Sequence, residues 1–123
     1  MVDDKSPTTQ GAAARATFVR ALPDAKDGGR LLAPPESVVM RSGLVVLQPG
    51  ANCGWHSTDE YEEMLICLEG SGEVHSEGQA PLPMTAGRYA YNPPRTRHNV
   101  FNTGKGPLRY IFVVSKAVAT GEG

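Results

Sequence analysis

Turn-forming residues are so closely spaced along this chain that only short extended segments fit between them. The 123 residues include 14 glycines and 10 prolines, about a fifth of the chain, which exceeds the globular average but stays below low-complexity levels. Many of them form clusters that mark turns, such as Pro49-Gly50 and Pro93-Pro94. No amphipathic helical window follows residue 35. The pattern therefore favours an all-β fold.

The segments between these turns have the length and composition of β-strands. Several contain β-branched and aromatic residues, which suit a pleated, half-buried surface. A spacing of about 8–12 residues between turns is typical of sandwiches and barrels. The seven clearest segments are 37–40, 43–47, 63–68, 72–75, 88–91, 98–101 and 108–114, and residues 16–22 could form a first strand. We predict an N-terminal arm over residues 1–15 and one barrel domain over residues 16–123.

Composition limits the partners that this chain can have. Lys plus Arg number 12 and Asp plus Glu 13, a net charge of −1, so there is no excess positive charge to bind nucleic-acid phosphates. No apolar run approaches the roughly 20 residues of a membrane-spanning helix, and the polar, partly acidic N-terminus is unlike a signal peptide. Two cysteines are too few for a disulfide scaffold. We therefore predict a cytoplasmic protein that binds neither nucleic acid nor membrane.

The two cysteines are predicted to be free thiols. Cys53 is an odd number of residues from His56, whereas Cys67 is an even number from Glu63. If His56 and Glu63 both point inward, alternation places the two thiols on opposite faces of the barrel wall, where they cannot pair. A bulge at Gly54 would reverse the direction of Cys53.

Two histidines and one glutamate are the strongest candidates for chemistry. His56 lies seven residues before Glu63, and His98 follows the turn at Pro93-Pro94. Two imidazoles and a carboxylate that converge inside a closed sheet can bind a borderline divalent metal and leave coordination positions open. Taken singly, each residue is more often an ordinary polar side chain. The three therefore count as a site only through their joint spacing.

That spacing resembles the two sequence motifs of the cupin family. The first motif, G-x5-H-x-H-x3,4-E-x6-G, fits Gly50, His56, position 58, Glu63 and Gly70. The second motif, G-x5-P-x-G-x2-H-x3-N, fits Gly87, Pro93, position 95, His98 and Asn102. Eight of the ten positions match, and the motifs cover residues 50–102.

The resemblance implies a single-domain jelly-roll β-barrel, the double-stranded β-helix of RmlC-like cupins, which is usually a homodimer. It also implies a metal near the barrel axis, held by two first-motif histidines, a glutamate and the second-motif histidine. Thr58 stands at one of those histidine positions, and a hydroxyl is a poor ligand for such metals. The expected metal ligands are therefore His56, Glu63 and His98, for a divalent ion such as Fe, Mn, Ni or Zn.

Four further residues could line the site: Thr58, Glu62, Cys67 and Tyr91. A carboxylate one position out of register, such as Glu62, could replace Glu63, but only Glu63 has the six-residue spacing to the motif glycine. Arg95 stands where the second motif has glycine, which concerns the loop geometry more than the chemistry.

Three classes of function follow from the resemblance. The first is a metal-dependent enzyme acting on a small oxygenated molecule, with isomerase, dioxygenase and decarboxylase chemistry all open because one fold hosts them. The second is a non-catalytic small-molecule binding module. The third is a barrel that has lost its metal, for which Thr58 would be a natural consequence.

Overall fold

The computed structural model describes residues 15–23, 26 and 28–117. All regular secondary structure within these residues is β-strand. The all-β prediction is thus confirmed. The predicted N-terminal arm, residues 1–15, lies outside the described residues except for Arg15. In chain order the strands are β1 (Gly29–Leu32), β2 (Arg41–Leu47), β3 (His56–Ser57), β4 (Tyr61–Glu69), β5 (Ser71–Ser76), β6 (Leu82–Thr85), β7 (Tyr89–Asn92), β8 (Arg97–Asn102) and β9 (Leu108–Lys116).

The strands form two antiparallel sheets. One has the order β1-β2-β9-β4-β7, and the other has the order β3-β8-β5-β6. From β3 onward the chain crosses between the sheets at most of its turns, which is the connectivity of a jelly roll. The inner faces of the two sheets therefore enclose a common interior.

One end of that interior is filled by a hydrophobic core. In the five-stranded sheet, Leu47 of β2 lies opposite Leu108 of β9, and Tyr110 of β9 lies opposite Cys67 of β4. These side chains are at most 9% exposed. They pack with further apolar residues from both sheets, namely Leu65, Val74, Met84 and Val100.

The other end of the same strands carries polar residues. Arg41 of β2 lies opposite Val114 of β9, and Val114 lies opposite Glu63 of β4. Since alternate residues of a strand share a face, this row lies on the same inner face as the core rows. The barrel is thus packed at one end and open at the end where Arg41 and Glu63 lie.

Six of the seven predicted segments overlap strands of the structure. Segment 37–40 is wrong: it forms a bend in which the Ser37 hydroxyl donates to the carbonyl of Met40. Residues 16–22 form no strand either, and Phe18 and Val19 remain exposed there. Both segments have apolar side chains, but no neighbouring strand supplies backbone partners for them.

Three strands of the structure were missed by the sequence analysis. β1 and β3 are short, and β6 falls in a proline-rich stretch that resembles a turn. β6 pairs with β5 alone and is an edge strand, so the missing N–H of Pro83 removes no hydrogen bond from the interior of the sheet.

Candidate metal centre

Two histidines face each other at the open end of the barrel. His56 of β3 lies directly opposite His98 of β8, and their ring centroids are 4.3 Å apart. Glu63 projects from the other sheet, and its Oε1 lies 2.9 Å from Nε2 of His98. One ligand atom of each residue lies within 4.8 Å of the other two. The structure therefore brings together the three residues that the sequence predicts as metal ligands.

Backbone carbonyl groups orient both imidazole rings. Nδ1 of His56 lies 2.9 Å from the carbonyl oxygen of Gly54, and Nδ1 of His98 lies 3.0 Å from that of Thr96. Because a carbonyl oxygen can only accept a hydrogen bond, we assign the Nδ1 proton in each ring. The Nε2 atoms are thus the ring nitrogens that are available to a metal.

An asparagine that the sequence analysis did not identify holds the carboxylate. Asn92 of β7 lies opposite Glu63 in the sheet, is 3% exposed, and donates from Nδ2 to Glu63 Oε1 at 3.1 Å. Its position beside Pro93 of the second motif was the only available signal, because the contact itself depends on the register of β4 and β7. Such partners fix the orientation of a ligating carboxylate.

Opposing effects act on the pKa of His98, whose side chain is 1% exposed. Burial is the largest single effect and lowers its pKa. Hydrogen bonds with Glu63 and with the Thr96 carbonyl, together with the charge of Glu63, raise the pKa and outweigh burial. The pKa of His98 is therefore above its ordinary value, because protonation of the ring makes its hydrogen bond with Glu63 a charged one.

His56, Glu63 and His98 line a pocket of about 360 Å³. This volume lies within the size range of small-molecule sites. Its wall is mostly apolar, and the main contributors are Val45, Leu65, Val100, Phe112 and Val114. This wall places apolar surface beside the Nε2 atoms and the carboxylate.

Six polar side chains of the pocket were not predicted, namely Arg41, Cys53, Ser57, Asp59, Tyr61 and Tyr110. Tyr110 is 2% exposed, and burial together with the nearby Cys53 and Glu63 raises the pKa of its phenol far above the usual value. Sequence reasoning missed Arg41 because β2 is apolar on both faces, so its alternation did not reveal which face is inside.

The four residues predicted to line the site occupy different places. Thr58 lines the pocket. Glu62 and Tyr91 lie on the outer face of the five-stranded sheet, where the Tyr91 hydroxyl donates to Glu62 Oε1 at 2.8 Å. Cys67 is buried in the hydrophobic core beneath the pocket. The structure brings Thr58 to the candidate metal ligands and places the other three residues away from them.

Both cysteines are free, as predicted. The reason drawn from alternation is wrong for Cys53, because Cys53 lines the pocket and Cys67 lies in the core. Gly54 has a φ of 95°, a left-handed conformation that interrupts the alternation between Cys53 and His56. The two thiols thus both point into the barrel.

Comparison with known proteins identifies the family. The sequence matches the family model described as Cupin domain over residues 43–114, more than half of the chain. The chain belongs to the cupin family. It is similar in structure to a Cupin 2 conserved barrel domain protein from Salinispora arenicola, with 30% identity, a TM-score of 0.68, and coverage of 84% of this chain and 92% of that chain.

Two further cupin structures differ more in sequence. An RmlC-like cupin with a double-stranded β-helix fold from Methanocaldococcus jannaschii has 20% identity and a TM-score of 0.68, over 85% of this chain and 94% of that one. A predicted oxalate decarboxylase from Thermotoga maritima has 26% identity and a TM-score of 0.59, over 62% of this chain. This cupin covers 65% of the Thermotoga protein, less than two thirds of its length.

These likenesses confirm the predicted jelly-roll barrel and the predicted family. A search of curated protein sequences found no match. Within the part of the chain that the structure describes, no helix is long and apolar enough to cross a membrane.

The two departures from the cupin motifs have clear structural consequences. Arg95 has a φ of 54°, so this loop keeps a left-handed conformation that a non-glycine residue adopts at a cost. Thr58 uses its hydroxyl to join two loops: Oγ1 donates to the Pro93 carbonyl at 2.6 Å and accepts from the Thr96 N–H at 3.0 Å. This hydroxyl bridge ties the segment before β4 to the loop between β7 and β8.

Removing the Thr58 hydroxyl is expected to destabilise the barrel. Thr58→Val keeps the shape of the side chain but leaves the Thr96 N–H and the Pro93 carbonyl without their partner, a loss of about 1–3 kcal/mol. Thr58→Ser is the matched control, because it keeps the hydroxyl. Urea unfolding of the three proteins measures the difference. Equal stability of the Val and Ser variants would show that the bridge is not stabilising.

Proposed function

We propose that this cupin binds a divalent metal ion through His56, Glu63 and His98 and thereby binds a small oxygenated molecule in the pocket. The observation that carries the proposal is the convergence of these ligand atoms within 4.8 Å beside a mostly apolar pocket. An ion bonded at about 2.1 Å keeps its ligand atoms within about 4.2 Å of one another. A small movement of the side chains is therefore enough to enclose it.

The donor set fits such an ion. Two imidazoles and a carboxylate suit Fe, Mn, Ni or Zn, and three protein ligands leave coordination positions open. When bound, the ion supplies a Lewis acid that polarises an oxygen atom of the bound molecule. The carbonyl groups of Gly54 and Thr96 keep both Nε2 atoms turned inward, and Asn92 fixes the carboxylate of Glu63.

Isomerase or dioxygenase chemistry is the enzymatic form of this proposal, and a non-catalytic small-molecule binding module is its alternative. One observation favours a third candidate, a barrel that has lost its metal. His98 and Glu63 already satisfy each other in a hydrogen-bonded pair, and the Thr58 hydroxyl is used between loops. Metal content separates the third candidate from the first two.

Removal of one imidazole is expected to abolish stoichiometric metal binding. His56→Ala is the sharper variant, since His56 is exposed and its loss leaves no cavity in the core. His75→Ala is the matched control, because His75 bonds Glu73 on the outer face of the other sheet. We expect the wild type and His75→Ala to hold one equivalent of metal by elemental analysis, and the affinity of His56→Ala to fall more than tenfold.

Two results would contradict the metal centre. One is equal metal content in all three proteins, which would place any bound metal elsewhere. The other is a wild-type protein that binds none of the four metals above micromolar affinity after dialysis with each in turn.

The metal-free and metal-loaded proteins are expected to respond to pH in opposite directions. The pKa of His98 is raised above 6.5, so the stability from its pair with Glu63 is complete below pH 6.5 and is lost as the pH rises through the raised pKa. A metal requires the unprotonated ring, so its affinity and its stabilising effect increase over the same interval.

Thermal unfolding with and without saturating Zn²⁺, from about pH 6 upward, measures both trends. Glu63→Gln is the control, because it removes the charged partner and should flatten the metal-free trend. Parallel curves for the metal-free and metal-loaded wild type would show that His98 does not exchange its proton for a metal.

The proposal extends to domain organisation, assembly and location: residues 16–123 as one barrel domain after an arm of residues 1–15, in a cytoplasmic homodimer. On the outer face of the five-stranded sheet, Met64, Tyr89 and Tyr91 are 39%, 74% and 56% exposed. Clustered exposed apolar side chains of this kind are typical of interfaces. Two free thiols suit a reducing compartment.

A charge on that outer face is expected to separate the dimer. Tyr89→Arg introduces a charge at a position that is already exposed, so the fold of one chain is not affected. Val38→Arg is the control, since Val38 is 68% exposed and lies between β1 and β2, and β1 is the edge strand opposite β7. Light scattering at micromolar concentration should give the mass of two chains for the wild type and Val38→Arg, and of one chain for Tyr89→Arg. A monomeric wild type would refute the dimer.

A further inference from the structure

Arg41 places a positive charge on the wall of the pocket. It begins β2 and lies in the same cross-strand row as Glu63, with Val114 of β9 between them. Since neighbouring strands are about 4.8 Å apart, the backbones of Arg41 and Glu63 are separated by about 10 Å. The long arginine side chain lines the same pocket as the candidate metal ligands.

The guanidinium of Arg41 is not engaged by any described residue. Arg20, Arg97 and Arg109 each form an ion pair with a glutamate, whereas Arg41 forms no ion pair or side-chain hydrogen bond within residues 15–23, 26 and 28–117. The carboxylate in its row, that of Glu63, is already bonded by His98 and Asn92.

The pocket has one further carboxylate, that of Asp59. It forms no ion pair within 4.0 Å with Arg41 or with any other cation in the described part of the chain. No group within the described part of the chain therefore occupies the five N–H donors of the guanidinium, and a ligand in the pocket can accept from them.

The remaining wall indicates what such a ligand must look like. Between Arg41 and the deeper end of the pocket lie apolar side chains, including Val45, Phe112 and Val114. A charged guanidinium beside an apolar wall suits a molecule with an anionic group at one end and an apolar body.

We propose that Arg41 binds the carboxylate of a small organic acid, whose apolar body lies against this wall and whose further oxygen atom reaches the metal ligands. A guanidinium matches a planar carboxylate through two parallel N–H···O bonds. A phosphate would share the anionic chemistry, but its second charge would meet no second lysine or arginine among the pocket residues. The part of this inference that concerns the metal rests on the proposed function.

The test compares two molecules of nearly equal shape that differ in charge. Benzoate and benzamide are titrated by calorimetry or ligand-observed NMR into the wild type and Arg41→Met, each in metal-loaded and chelator-treated form. Arg88→Met is the matched control, because Arg88 lines a separate cavity between β6 and β7. Phenyl phosphate is titrated into the wild type to separate the two anion classes.

We expect the wild type and Arg88→Met to bind benzoate at least about tenfold more tightly than benzamide, and Arg41→Met to lose this preference without weaker binding of benzamide. The preference should persist in chelator-treated wild type, because Arg41 and not the metal supplies the charge. A benzoate preference that survives in Arg41→Met, or that is absent in the wild type, overturns the assignment. Tighter binding of phenyl phosphate than of benzoate overturns the carboxylate class.

The same titrations distinguish this inference from the proposed metal centre. If the protein binds no metal but shows a benzoate preference that depends on Arg41, the metal centre fails and the anion site stands. If metal binds and the preference is lost on chelation but kept in Arg41→Met, the metal holds the anion, and the role of Arg41 is refuted.

Discussion

The hydrogen bond between His98 and Glu63 joins the two sheets at the open end of the barrel. The two side chains are 1% and 9% exposed, and a charge removed from water in this way is costly unless it is paired. Asn92 and the Thr96 carbonyl occupy further hydrogen-bonding positions of the pair. The loss of one partner of a buried ion pair typically costs about 3–5 kcal/mol. The register of β4, β7 and β8 therefore has to keep Glu63, Asn92 and His98 at the same level of the barrel.

The same arrangement is compatible with both the proposed metal centre and a metal-free barrel. Without an ion, Nε2 of His98 and Oε1 of Glu63 lie 2.9 Å apart and form a hydrogen-bonded pair. In the proposed metal-bound form, these two residues would hold the ion together with His56 of the neighbouring strand. The groups that orient the pair, the two backbone carbonyls and Asn92, do not have to change.

The sequence predicts the fold and the grouping of the three candidate ligands, because both depend on local spacing. Turn residues separate strands of the right length, and the motif spacing brings His56, Glu63 and His98 together. Asn102 shows that some motif positions have a structural role. Its Nδ2 donates to the carbonyls of Leu47 and Gly106, and its Oδ1 accepts from the Gly104 N–H. Such a residue closes a loop and needs no ligand to explain it.

The residues that the sequence did not reveal depend on register or on a single backbone torsion. Asn92 and Arg41 reach Glu63 and the pocket only through pairings between strands that are distant in sequence. Cys53 turns inward because of the left-handed Gly54. Glu62 and Tyr91 show the converse: each is one position from an inward residue, and alternation alone carries it to the outer face.

Thr58 shows why three ligands, rather than four, are consistent with this barrel. A histidine at position 58 would face the same pocket, but it would remove the hydroxyl that bonds both Pro93 and Thr96. Thr96 is also the residue whose carbonyl orients His98, so a disturbance of this loop would reach a remaining ligand. Position 58 can therefore supply either a fourth ligand or a hydroxyl bridge that supports an existing one, and in this chain it supplies the bridge. In the proposed metal centre, three protein ligands would leave a coordination position for a molecule bound in the pocket that Arg41 also lines.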